Sequence, residues 1–220
     1  MSEFDQPSVP PLSPPPVSTP PTGTPPPAQP PAYVPSTVGE DTDEPVSVVP
    51  QHAAGDFRVP DGYATIDGEP DGNRRSVAIV VSRYNADITT RLLEAALAAL
   101  DEAGVARDAV TVMPVPGAFE LPLAAMALAK TRRYACIVAL GAVVRGDTPH
   151  FEYVASECAS GLQLAGIETG VPVSFGVLTV ETVEQAEARI PKAADAVRSA
   201  LEMADLFARL RKSARAQEAT

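Results

Sequence analysis

The sequence predicts an α/β domain, a three-layer αβα sandwich on a four-stranded parallel sheet, preceded by a disordered proline-rich tail. Three observations carry this. Short, continuous apolar runs rich in β-branched residues recur between residues 76 and 211, as in strands covered on both faces. Segments of helical periodicity alternate with those runs, which is the pattern of a parallel sheet. Finally, 17 of the 24 prolines fall within the first 60 residues, so the amino-terminal segment has a composition unlike the rest.

Residues 1–55 contain runs such as Pro14-Pro15-Pro16 and Pro25-Pro26-Pro27 separated by Ser, Thr, Gly and Gln. Proline removes backbone donors and fixes φ, and the few apolar side chains bury too little surface to offset the entropy of ordering. A polyproline-leaning, disordered tail is expected. It carries Glu3 and Asp5, has no arginine before Arg58 and lacks an apolar stretch, so it fits neither a secretory signal nor a transit peptide. Residues 56–75 read as an arm in which 63–66 (Tyr-Ala-Thr-Ile) can form an edge strand, open to pairing with another chain.

The first core strand is expected over 77–81. Asp87 can cap the helix that follows, whose inward stripe is Ile88, Leu92, Leu93, Ala96, Leu97 and Leu100, with Gly104 ending it. Strands at 110–115, 135–143 and 173–178 alternate with helices at about 118–130 and 151–168, implying right-handed βαβ crossovers. Thr182-Val183-Glu184-Gln185 is a capping-box pattern for a further helix carrying Arg189 near its end. Pro191 suits the first turn of a last helix, with Val197, Ala200, Leu201, Ala204 and Phe207 inward. Residues 212–220 are expected as a carboxyl-terminal tail.

Composition narrows the function. A formal charge of −11 argues against nonspecific nucleic-acid binding. There is no run of about 18 apolar residues, so no membrane helix is expected. Cys136 and Cys158 lie in apolar surroundings without CxxC spacing and read as buried free thiols of a cytoplasmic protein.

In open parallel sheets ligands bind beyond the carboxyl ends of the strands, which directs attention to 82–87, 114–120, 144–150 and 175–182. The strongest loop runs from Arg145 through Gly146, Asp147, Thr148 and Pro149 to His150, where a buried strand opens just before a helix. Amides at such a helix start favour an anion, Thr148 adds a hydroxyl, and Gly146 permits close backbone approach. His150 is one of two histidines. At this position it is either a proton-transfer group or a capping or core histidine. The segment from Pro114 to Glu120, with two prolines and a glycine, either holds a polar ligand on exposed amides or merely connects strand to helix. No GxxxxGK[ST] loop, no GxGxxG after the first strand, no GxSxG elbow and no metal-ligand cluster around His150 is present.

Taken together, Ser82-Arg83-Tyr84-Asn85, the run from Pro116 to Pro122 (PGAFELP), the run from Leu140 to Phe151 (LGAVVRGDTPHF) and the run from Val171 to Gly176 (VPVSFG) resemble the lumazine synthase family. The resemblance covers about residues 76–207, in the family's order and spacing from Tyr84 to Arg189. It implies a flavodoxin-like fold and the penultimate step of riboflavin synthesis. In that step 5-amino-6-ribitylaminouracil condenses with 3,4-dihydroxy-2-butanone 4-phosphate to give 6,7-dimethyl-8-ribityllumazine, phosphate and water, with no metal or organic cofactor.

The resemblance also implies residue roles. Tyr84 takes the position that stacks on the pyrimidine, where the family usually has Phe or Trp. Ala118, Phe119 and Glu120 match the ribityl loop, and Val143 and Val144 the wall beside the ring. Gly146, Asp147 and Thr148 match the phosphate loop, Arg189 the arginine that neutralises that phosphate, and His150 the general acid/base. Phe175 and Arg189 belong to the neighbouring subunit's half of the site, so a homo-oligomer built of pentamers is implied, with riboflavin synthase as a candidate partner. Arg145 is read as a structural ion-pair residue. The chain departs from the family after Arg189, where a glycine- and lysine-containing linker is replaced by Ile190-Pro191-Lys192. The alternative is a non-catalytic lumazine- or flavin-binding scaffold of the same fold.

Overall fold

The computed structural model describes residues 57–218. The expected tail over 1–55, with His52, lies outside the described residues. Within them, β1 (Val77–Ser82), β2 (Val110–Val115), β3 (Cys136–Val144) and β4 (Val173–Val180) form one parallel sheet in the order β2-β1-β3-β4. The flavodoxin-like architecture expected from the sequence is the one observed. All four strands point the same way, so their carboxyl ends share one rim.

Strand order explains the composition of each strand. The central strand β1 is buried at every residue and β3 at all but its last, hence their unbroken apolar runs. By contrast β2 is an edge strand in which Thr111, Val112 and Pro114 face solvent. Proline lacks a ladder donor and is tolerated in a sheet at such an edge. Each expected strand is present, with β1, β3 and β4 running one or two residues further at the carboxyl end.

Helices α1 (Ala86–Glu102) and α5 (Lys192–Glu218) cover one face, and α2 (Leu121–Lys130) and α3 (His150–Thr169) the other. Each pair closes its own apolar cluster. One contains Ile79, Leu92, Leu100, Val138, Val197 and Leu201; the other contains Val80, Leu121, Ile137, Leu162 and Val177. On α1 the buried residues are Ile88, Thr89, Leu92, Ala96, Ala99 and Leu100. Leu93 and Leu97, expected inward, are half-buried at the margin of the cluster, because the inward arc is turned toward α5.

Several boundaries differ from expectation for local reasons. Asn85, not Asp87, occupies the cap of α1, in a left-handed conformation (φ 58°). Residues 118–120 form a separate tight turn before α2, whose second position is Pro122. Gly170, at φ 65°, ends α3, the left-handed stop that glycine permits. At α4 (Val183–Glu187) the Thr182 side chain accepts from the Gln185 amide at 3.3 Å, while the Gln185 side chain accepts from the amide of Glu181, one residue before the cap. Helix α5 continues to Glu218 through most of the stretch expected as a tail, and Phe207 is only half-buried.

Residues 63–66 make no ladder with the described residues and are exposed. The chain meets the body of the domain at Gly68, where a Cβ would lie 2.4 Å from the Glu202 carbonyl oxygen, so only glycine passes. Beyond it, buried Asp205 on α5 accepts from the Glu69 amide at 3.1 Å, Arg75 Nη2 at 2.6 Å and Arg209 Nε at 2.6 Å.

Candidate active site

At the shared rim a cavity of about 610 Å³ opens beyond β1, β2 and β3. Each wall comes from a loop that parallel topology brings to this edge. After β1 the chain turns at Asn85, whose left-handed backbone is tolerated by asparagine's short polar side chain. The turn presents the Tyr84 ring, 74% exposed, to the cavity. Arg83 and Tyr84 donate backbone N–H groups to the Val115 and Pro116 carbonyls at 2.8 and 3.0 Å, which couples this corner to the next wall.

That wall is the turn after β2, lined by Gly117, Ala118, Phe119 and Glu120. The Gly117 amide donates to Glu120 Oε2 at 2.8 Å, and the Glu120 amide donates to the Gly117 carbonyl at 3.3 Å. This closed pair shapes the turn and leaves Phe119 projecting and exposed while Ala118 is buried. Glu120 is therefore partly committed to its own loop. The floor is the end of β3, with Ala142, Val143 and Val144.

The third wall is the Gly146–Thr148 turn with the first residues of α3. Gly146, Thr148, His150, Phe151, Tyr153 and Val154 line it. His150 opens the helix, and Tyr153 lies three residues on, on the same helical face. Among the described residues, Gly146, Asp147 and Thr148 make no hydrogen bond within the chain, so their polar groups face solvent uncommitted.

Arg145 closes this region from behind. Its Nε donates to Glu181 Oε2 at 2.5 Å, its Nη1 to Glu152 Oε1 at 3.2 Å, and its guanidinium lies 4.6 Å from the Phe151 ring centroid. The two carboxylates, Glu181 foremost, hold its pKa above the ordinary arginine value. The sequence reading of Arg145 as an ion-pair residue matches this geometry.

The fold gathers Tyr84, Ala118, Phe119, Glu120, Val143, Val144, Gly146, Thr148 and His150 around one cavity. Asp147 belongs to the same loop without lining the cavity. Phe175 and Arg189 are elsewhere. Phe175 lies 48% exposed on β4, and Arg189 is exposed after α4, its Nη1 donating to the Gln185 carbonyl at 2.8 Å. Lys192, in the shortened connection, pairs with Asp195 at 3.2 Å. Asn85, Gly117, Ala142, Phe151, Tyr153 and Val154 are wall residues that were not singled out as site residues. Helical spacing from His150 was the available signal for Tyr153.

Among the described residues no group of three or more His, Cys, Asp or Glu side chains is placed to hold a metal ion, and no helix is long and apolar enough to cross a membrane. Residues 74–208, which include every wall of the cavity, match the family model described as 6,7-dimethyl-8-ribityllumazine synthase. The chain belongs to the lumazine synthase family. A relative named 6,7-dimethyl-8-ribityllumazine synthase, from Gemmatimonas aurantiaca (strain DSM 14586 / JCM 11422 / NBRC 100505 / T-27), is 49% identical over 151 residues. That match spans 66% of this chain and 92% of the relative. Lumazine synthase membership thus covers the whole sheet and the cavity, and leaves the proline-rich segment outside the matched region.

Proposed function

We infer that the chain carries out its family's reaction: condensation of 5-amino-6-(D-ribitylamino)uracil with 3,4-dihydroxy-2-butanone 4-phosphate to 6,7-dimethyl-8-ribityllumazine, releasing phosphate and water, in riboflavin biosynthesis. The observation that carries it is one cavity in which an aromatic platform, uncommitted loop amides and a histidine converge.

The Tyr84 ring stacks on the pyrimidine, the backbone around Ala118, Phe119 and Glu120 takes the ribityl chain, and Val143 and Val144 exclude water beside the ring. Gly146, Asp147 and Thr148 receive the phosphate at the start of α3, where helix amides favour an anion. His150 moves protons during imine formation and phosphate elimination. These steps are proton transfers and bond exchanges without net redox change, so general acid–base chemistry and the alignment of two substrates account for them without a cofactor.

The site is shared between subunits. Among the described residues no arginine or lysine lines the cavity of one chain, although a phosphate held there needs a counter-charge. Arg189 and Phe175 of a second copy supply the cation and a further aromatic wall. Exposed Tyr153, Leu164 and Ile167 on α3 and Leu123 on α2 provide apolar surface for such contacts. The proposed assembly is a pentamer or a multiple of one, acting in the cytoplasm, with riboflavin synthase consuming the product.

The test is incubation of the purified full chain with both substrates while lumazine absorbance is followed, alongside sedimentation. Product formation by an oligomer is expected. Binding of lumazine without turnover would instead identify a scaffold, and turnover by a stable monomer would overturn the shared site.

A further inference from the structure

We propose that Arg145 is a positioning residue for the phosphate half of the reaction, tying both flanks of loop 146–149 to each other and to the end of β4. The inference rests on the function proposed above.

The loop needs such a tie. Gly146, Asp147 and Thr148 form no hydrogen bond among the described residues, and a Cβ placed on Gly146 would meet nothing within 4 Å. Neither ladder bonds nor packing therefore fix the amides that are to meet a phosphate, and their placement depends on the loop's ends. Arg145 stands at one end and Glu152, its partner, just past the other. Its backbone N–H donates to the Val180 carbonyl at 2.9 Å, and its side chain reaches Glu181 on the following residue. One planar guanidinium thus engages a loop end, a strand end and the face of Phe151, the residue after His150.

The geometry argues against the simpler role of a phosphate ligand. Arg145 does not line the cavity, and the two carboxylates that hold its Nε and Nη1 would repel a phosphate brought to the same guanidinium. The ion pairs are also exposed, with side-chain accessibilities of 40% for Arg145, 63% for Glu152 and 57% for Glu181. Exposed pairs contribute little to global stability, so the effect of Arg145 falls on loop geometry, where small displacements of reacting groups weigh heavily on rate.

Steady-state kinetics of the full-length oligomer, varying each substrate in turn, tests this. Arg145→Met is expected to raise KM for the phosphate-bearing substrate about tenfold while KM for the pyrimidine stays within about twofold. Arg145→Lys, a point charge without the fork, should behave more like the Met variant than like wild type. Glu152→Gln separates the two roles, and it also serves if Arg145→Met does not fold. Loosening a clamp raises KM for the phosphate substrate, whereas releasing a direct phosphate ligand lowers it. Unchanged phosphate-substrate KM in Arg145→Met, or a lowered one in Glu152→Gln, overturns the proposal while leaving the reaction intact. A wild-type chain that forms no lumazine overturns the functional reading and this inference with it.

Discussion

Asn85 donates from Nδ2 to the Ala142 carbonyl oxygen at 2.9 Å, joining the corner after β1 to the end of β3. Pairing between the two strands stops at Val81 and Leu140. The asparagine thus continues the connection past the last ladder pair, into the cavity wall, and holds the turn that displays Tyr84.

Replacing Asn85 by alanine removes that bond and leaves the left-handed backbone to a residue without asparagine's compensating polar side chain, a combined loss of about 2 kcal/mol. Glycine loses the bond but accepts the conformation, so urea denaturation should show Asn85→Gly about 1 kcal/mol less damaging than Asn85→Ala. Equal losses would remove backbone strain from the account. In both variants KM for the pyrimidine should rise more than KM for the phosphate substrate.

His150→Ala is expected to lower kcat by ~10²-fold to 10⁴-fold without abolishing turnover, because substrate alignment survives the substitution. Single-turnover kinetics at neutral pH measures this. A wild-type rate would remove His150 from the mechanism.

Asp205 is a buried acceptor for two arginines and a backbone amide, and Arg75 beside it is only 14% exposed at its side chain. Asp205→Ala leaves the Arg75 guanidinium with the Asp71 carbonyl as acceptor but without its carboxylate, at a cost of about 3 kcal/mol. Thermal unfolding should report that loss, and limited proteolysis should cleave within residues 57–74 faster than in wild type.

Burial raises the Cys136 thiol from 9.0 to about 12 and that of Cys158 from 9.0 to about 11. Above pH 9.0 the unfolded chain releases thiol protons that the folded chain retains, so stability falls with rising pH until the folded thiols ionise as well. Denaturation across this range should show the decline, and Cys136→Ala should flatten it relative to its own value at neutral pH. At about pH 8 a thiol-alkylating reagent should label both cysteines only after unfolding.

The strands were legible because β1 and β3 are covered on both faces, which writes an unbroken apolar run into the sequence. Less legible was which arc of a helix turns inward. Thr89 and Ala99 are buried where Leu93 and Leu97 are not, since the direction is set by where α5 packs. Asp205 was unreadable for a related reason: an acidic residue on a helix normally marks the solvated side, and its partner Arg75 is 130 positions away. At the cavity, local motif residues carried the loops well. Arg189 and Phe175 entered through family resemblance alone, and no spacing within one chain would have related them to the cavity.

The two apolar clusters lie on opposite faces of the sheet, and the α2–α3 cluster holds the buried cavity-wall residues Ala118, Val143 and Phe151, whereas the α1–α5 cluster reaches the cavity through Ala142 on β3. The latter is fastened by Leu92, Leu100, Val197 and Leu201, away from the walls. Thermostability engineering therefore has its natural territory at the α1–α5 contacts furthest from Ala142, where repacking alters robustness without reshaping the cavity floor.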